Sequence, residues 1–276
     1  MRRNTLRIQP RRDNGRRARP ILAYDIETIA PALEDGSFPP WPTHQPVAVG
    51  FAEAWEQGGQ WLFDIDALAI TEAVTNEAAM IREADRRMAG AGVVTSYNGR
   101  QFDALVLRLA AQRQRLWDCK ALADRAASKR FGGEHLDLAD AYSSFGRKVS
   151  LASIADELGI AVKTDVAGGD VGQLWEAGET ERIRRYVMED AVATLCVYFA
   201  WVAARAADET LVTRPLAALA RHIEARADLE HLQPFLDCQL MWWARPRAMK
   251  ADIGAALSRM THRLAREESE RAFATS

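Results

Sequence analysis

Four carboxylates and a phenol, in a fixed order along the chain, are the residues best suited to chemistry. Asp25 and Glu27 stand two apart in Ile21-Leu22-Ala23-Tyr24-Asp25-Ile26-Glu27-Thr28. Asp103 closes Tyr97-Asn98-Gly99-Arg100-Gln101-Phe102-Asp103, and Tyr186 precedes Asp190 by four in Tyr186-Val187-Met188-Glu189-Asp190. Carboxylates brought together repel one another unless hard cations share their oxygens. Mg²⁺ takes only one or two protein carboxylates and keeps water and phosphate oxygens as its other ligands. The chemistry such a set suits is divalent-metal attack on a phosphodiester.

The elements that must position these groups can be read from periodicity. Ile21, Leu22 and Ala23 run into Asp25 as a buried strand over 21–28. Residues two apart on a strand share a face, so Asp25 and Glu27 project together. Unpaired buried charge is costly, so a core strand with two acids on one face needs a partner for them. Glu179 to Ala207 reads as one long helix, with Ile183, Val187, Ala191, Val192, Leu195 and Phe199 at three- and four-residue steps. Tyr186 and Asp190 then lie one turn apart on one helix face. Asp103 is expected at the start of a helix that follows a strand, where it can face the strand carrying Asp25.

Each piece alone has a plainer reading. Asp-x-Glu is most simply a cap or surface pair, and Asn98-Gly99 a turn. Asp103 is a first-turn acid favoured by the helix dipole. Tyr186 and Asp190 are half-exposed positions on an amphipathic helix. All five in order, on a strand, a strand-to-helix turn and a late helix, point instead to one joint metal site.

These motifs resemble those of the DEDD superfamily of 3′–5′ exonucleases, in its tyrosine subclass. Asp25-Ile26-Glu27-Thr28 is similar to the first exonuclease motif, Asn98-x-x-x-Phe102-Asp103 to the second and Tyr186-x-x-x-Asp190 to the third. More narrowly, the chain resembles stand-alone bacterial exonucleases related to the proofreading domain of family B DNA polymerases. His135-Leu136-Asp137-Leu138, Ser150-Leu151, Leu158-Gly159, Asp170-Val171 and Trp175 add to that likeness, which covers about residues 20 to 205. Residues 164–169 depart from the glycine-lysine turn of that group. The resemblance implies a ribonuclease H-like α/β fold, a mixed sheet flanked by helices. It implies two divalent cations, Mg²⁺ or Mn²⁺, with Asp25 bridging both, Glu27 and Asp190 on the cation that binds the attacking water, Asp103 on the other, and Tyr186 orienting the nucleophile. Its substrate is the 3′ end of single-stranded nucleic acid, DNA before RNA. Asn98, Phe102, Thr28 and Arg100 are the candidate substrate contacts; an aromatic such as Phe102 can stack on any base, or pack in the core. Arg100 can hold a phosphate or lie in solvent. The alternatives are a 3′–5′ exoribonuclease with the same site, and a non-catalytic nucleic-acid-binding protein on the same fold. A degenerate copy would be expected to lack an acid, and all four are present.

The rest of the sequence sets the frame. With 276 residues the chain can hold one α/β domain over 21–207 and a helical extension over 208–276. The first twenty residues hold eight Arg and one Asp, a net +7, which leaves −9 for the remainder of a chain of net charge −2. This stretch reads as a solvated tail, an electrostatic arm for phosphates, or a transit peptide. No apolar segment follows its basic residues as in a secretory signal, and the apolar run 191–204 is shorter than a membrane span; a cytoplasmic place without membrane contact is expected. Cys119, Cys196 and Cys238 are scattered, without zinc spacing, and read as free buried thiols. His135 reads as a structural hydrogen-bonding residue. Strands are expected over 47–55 and 61–65, joined at Gly58-Gly59, and over 93–97. Helices are expected over 76–89 with Asn76 as cap, over 102–115, and over 150–158 with Ser150 as cap. Residues 210–276 read as helical, interrupted at Pro215, Pro234 and Pro246.

Overall fold

The computed structural model describes residues 19–70, 76–130, 135–143, 149–161 and 170–274. The basic tail up to residue 18 and the divergent segment 164–169 lie outside the described residues. Five strands, β1 (Ile21–Ile29), β2 (Gln45–Gln57), β3 (Gln60–Ala69), β4 (Val93–Ser96) and β5 (His135–Asp137), form one sheet in the order β3-β2-β1-β4-β5. β1 pairs antiparallel with β2 and parallel with β4, and β4 runs parallel to β5. β2 alone therefore runs against the others, as in a ribonuclease H-like sheet. β1 is central and buried on both faces, which explains its near-continuous apolar run.

Helices cover both faces. α1 (Glu77–Gly90), α2 (Asp103–Arg113) and α3 (Lys120–Ala126) pack together on one side, where the Arg87 guanidinium lies 4.6 Å from the centre of the Phe51 ring. The short α4 (Leu138–Tyr142), α5 (Leu151–Glu157) and α6 (Val171–Glu176) follow, and then α7 (Thr180–Ala206) crosses β1, β2 and β3 on the opposite face. Both expected caps form: Asn76 accepts the Ala79 N–H at 3.1 Å and Ser150 that of Ser153 at 3.1 Å. α7 is long and apolar enough to cross a membrane, but 67% of its apolar window is buried inside the protein. Packing on three strands accounts for its composition.

One position decides how close α7 can come. A Cβ at Gly50, on β2 opposite Asp25, would sit 2.2 Å from the Val187 carbonyl oxygen. Only glycine lets the backbone of α7 lie on the sheet there.

α8 (Thr210–Glu224) and α9 (Gln233–Leu236) add Leu216, Leu219, Ile223, Phe235 and Leu236 to the same core. α10 (Gln239–Ala274) packs its first turns on α8. Two of the three expected proline interruptions do not occur. Pro215 lies within α8 and Pro246 within α10, each early in its helix; Pro234 sits in the first turn of α9. Pro215 is the sixth residue of α8 and Pro246 the eighth of α10, past the four unpaired N–H groups of a helix start, so each forfeits one intrahelical hydrogen bond that the packing of its helix offsets.

Candidate active site

Asp25 and Glu27 stand on the β1 face that α7 covers, paired in register with Gly50 and Ala48. The β1–β2 ladder slips between Glu27 and Thr28, the kind of irregularity that re-aims side chains beside a site. In the parallel β1–β4 pair Ala23 is level with Thr95, so Asp25 lies just beyond the end of β4. This is the carboxyl-end crevice where open α/β sheets carry their sites.

Asp25, Glu27 and Asp190 converge, with one oxygen of each within 4.8 Å of the others. Glu27 is buried and the two aspartates half-buried. Tyr186, one turn before Asp190, is 3% exposed and hydrogen-bonds its carboxylate. Burial, then the charges of Asp190, Glu27 and Asp25, hold the Tyr186 phenol well above its usual range. It therefore stays protonated and acts as a donor at any physiological pH.

Asp103 comes from the other layer, at the first position of α2. It is not within the 4.8 Å cluster, but it feels the charge of Asp190. Burial first, then Asp137 and Asp190, raise its carboxyl well above the ordinary carboxylate range. Its Oδ2 is buried without a hydrogen-bond partner among the described residues. Three clustered carboxylates and a fourth with an orphaned buried oxygen form a hard all-oxygen donor set, and it fits divalent cations of the Mg²⁺ type.

The loop before Asp103 is fixed by two acids that spacing alone did not single out. Asp137 accepts the N–H groups of Asn98 at 2.8 Å, Arg100 at 3.1 Å and Ala139 at 3.0 Å, so it latches the loop and caps α4 together. Asp140 holds Arg100 at 2.5 Å and Arg130 at 3.1 Å. Arg100 is thus tied into the protein. Asn98 takes a left-handed backbone with φ 65°, and a Cβ at Gly99 would sit 2.6 Å from both Asp103 Oδ2 and Ser96 Oγ. The Asn-Gly pair therefore belongs to a latched turn that delivers Asp103. Beneath it, His135 is buried, with Nε2 2.7 Å from Ser96 Oγ.

Thr28 and Phe102 meet around His44. Thr28 Oγ1 lies 2.7 Å from His44 Nδ1 and the Pro39 carbonyl 3.1 Å from Nε2. A carbonyl only accepts, so Nε2 carries a proton toward Pro39, and the Thr28 hydroxyl is the partner of Nδ1. Phe102 is half-buried and meets the His44 ring edge-on at 4.9 Å, with Phe38 stacked on that ring at 4.9 Å. The signal available was compositional only: a histidine within the proline-rich loop.

A family profile described as a predicted 3′–5′ exonuclease related to the exonuclease domain of PolB matches residues 36–239. The chain belongs to this family. The match takes in Asp103, Tyr186 and Asp190 and runs through α9, while Asp25 and Glu27 precede it; the convergence at 4.8 Å is what joins them to the other motifs. Among solved structures, the family B DNA polymerase of the hyperthermophilic archaeon Pyrobaculum calidifontis is similar at 18% identity and a TM-score of 0.45, over 73% of this chain and 26% of the polymerase. The chain thus spans about a quarter of that protein. No curated protein matches the sequence.

Proposed function

We propose that this exonuclease-family protein removes nucleotides from the 3′ end of single-stranded DNA, with Asp25, Glu27, Asp103 and Asp190 holding two divalent cations. The observation that carries the reading is the meeting of Asp25, Glu27 and Asp190 within 4.8 Å beside the Tyr186 hydroxyl. Cations held there supply charge stabilisation to the attacking and leaving oxygens of an in-line displacement. Tyr186, its one hydroxyl proton given to Asp190, orients the attacking water by accepting a hydrogen bond on the phenol oxygen and does not act as a base. Asp190 serves both, as ligand and as acceptor of the phenol. Phe102, propped by His44, offers a face on which a terminal base can stack. Asn98 and Thr28 line the same end of β1 and β4, and Arg100, spent on Asp140, holds the loop in place of a phosphate.

The test is degradation of 5′-labelled single-stranded DNA and RNA in Mg²⁺, in Mn²⁺ and in excess chelator. A ladder of products shortened from the 3′ end, with metal and DNA, is expected. Intact DNA in both metals refutes the activity, and undiminished cleavage in chelator refutes the metal assignment. Faster loss of RNA reassigns the substrate, because only contacts to the 2′-hydroxyl separate the two.

A further inference from the structure

The loop between β1 and β2 carries an exposed ring to the edge of the acidic site. Phe38 is 74% exposed. A single exposed apolar side chain needs no explanation by itself, but this one has fixed neighbours. Its ring stacks on His44 at 4.9 Å, with 29° between the planes, and meets Phe102 at 5.8 Å, tilted by 53°. Both spacings lie in the range of favourable aromatic pairs. His44 Nδ1 in turn stands 2.7 Å from the Thr28 hydroxyl. Thr28 follows Glu27 in the chain, and Phe102 precedes Asp103. The three rings are therefore tied to the first and the second acidic segments alike.

The loop is braced around that ring. The Pro39 carbonyl lies 3.1 Å from His44 Nε2, and the Pro40 carbonyl accepts the Thr43 hydroxyl at 2.8 Å and the Thr43 N–H at 3.0 Å. Arg113 of α2 reaches the His44 carbonyl at 3.5 Å, and Trp41 packs against the core. Pro39, Pro40 and Pro42 restrict the backbone further. A loop ordered in advance loses little freedom when a ligand docks on it, so contact made with Phe38 is kept as affinity. His44 covers one face of the Phe38 ring and leaves the other open. An open aromatic face beside a site suited to phosphodiester chemistry can take a base of any sequence.

We propose that, on the nuclease reading above, Phe38 stacks on the second base from the 3′ end of the substrate strand, next to the terminal base on Phe102. Phe102 is half-buried and joined directly to Asp103, so it is the inner ring; Phe38, more exposed, is the outer one. Consecutive bases of a strand drawn to the carboxylates meet these rings in turn. Stacking on Phe38 takes the second base off its own neighbours, which an unpaired end allows at lower cost than a paired one.

Initial removal of the 3′ nucleotide tests it, in Mg²⁺, on short single strands of whichever nucleic acid the wild type degrades faster. Phe38→Ala loses roughly 5- to 100-fold in kcat/KM, the loss lying in KM, as the range of base–aromatic stacking implies. Phe38→Trp, which keeps an open ring, restores it. The side chain is exposed, so all three proteins melt together. A strand with an abasic site at the second position from its 3′ end separates stacking from a merely structural role. Wild type loses on that strand what Phe38→Ala loses on the intact one, and Phe38→Ala loses little more. Wild-type KM in Phe38→Ala, no rescue by Phe38→Trp, or an abasic loss as large in Phe38→Ala as in wild type overturns the assignment and leaves the nuclease reading standing. A lowered melting temperature in Phe38→Ala makes the ring a packing residue and overturns it as well. A wild type that degrades neither DNA nor RNA overturns both readings.

Discussion

At the scale of single residues, Tyr186 and Asp190 share one face of α7 but have separable tasks in the proposed reaction. Asp190→Ala removes one of three clustered oxygens and with it metal occupancy and activity, which titration calorimetry with Mn²⁺ and the degradation assay both read. Tyr186→Phe keeps the ring and its packing, so metal affinity stays near wild type while turnover falls by roughly 10- to 1,000-fold, the range for a group that only positions the nucleophile. Wild-type turnover in Tyr186→Phe would make the tyrosine a packing residue. His135 gives a different readout. Burial pushes its imidazole down to about 4, against about 6.5 in the unfolded chain. Between those values the unfolded chain binds a proton that the folded one refuses, so stability is full above about pH 6.5, falls as pH drops, and levels below about pH 4. The full swing is on the order of 3 kcal/mol. Urea unfolding of wild type and His135→Gln across pH 4–7 checks this: the difference in slope isolates His135, and parallel curves defeat the assignment.

At the scale of elements, the site depends on how α7 and the 98–103 loop are seated. Gly50→Ala drives a methyl into the Val187 carbonyl. The helix has to lift off the sheet, and about 3 kcal/mol of stability and most activity go together, a cost typical of overpacking. Urea unfolding and turnover check it; a variant as stable and active as wild type shows that α7 does not need that contact. The elements that were legible in the sequence are those with a strong period or a local chemical signal: β1, the β2–β3 hairpin, α7, and the caps at Asn76 and Ser150. Asp25, Glu27 and Asp190 could be grouped because strand and helix periods put each on a known face. β5 was not legible as a strand, since three residues give no period. The latching by Asp137 and Asp140 was hidden for another reason. Their partners are some forty residues away, joined only through the parallel β4–β5 pair. Pro215 and Pro246 do not break their helices because tertiary packing overrides a local breaker.

At the scale of the whole molecule, charge is uneven: the chain after residue 20 is net −9, and three of its acids meet within 4.8 Å. In metal-free protein this cluster works against folding, because like charges that lie far apart in the unfolded chain are forced together. On the proposed two-cation reading, divalent metal binds the folded cluster only, so it is expected to stabilise by mass action, by about 2.7 kcal/mol at a hundredfold excess over its dissociation constant. For a domain of this size that corresponds to a melting temperature roughly 5–10 °C higher. Asp25→Asn separates repulsion from ligation, since it keeps the shape and removes one charge. Its metal-free melting temperature rises by about 2–4 °C, equivalent to about 1 kcal/mol of relieved repulsion at half-exposed positions. Its gain on adding Mg²⁺ or Mn²⁺ largely disappears. Scanning calorimetry of both proteins, in chelator and in millimolar metal, gives all four numbers. A wild-type transition indifferent to metal, or an Asp25→Asn protein that responds as fully as wild type, removes the cluster from consideration as a metal site.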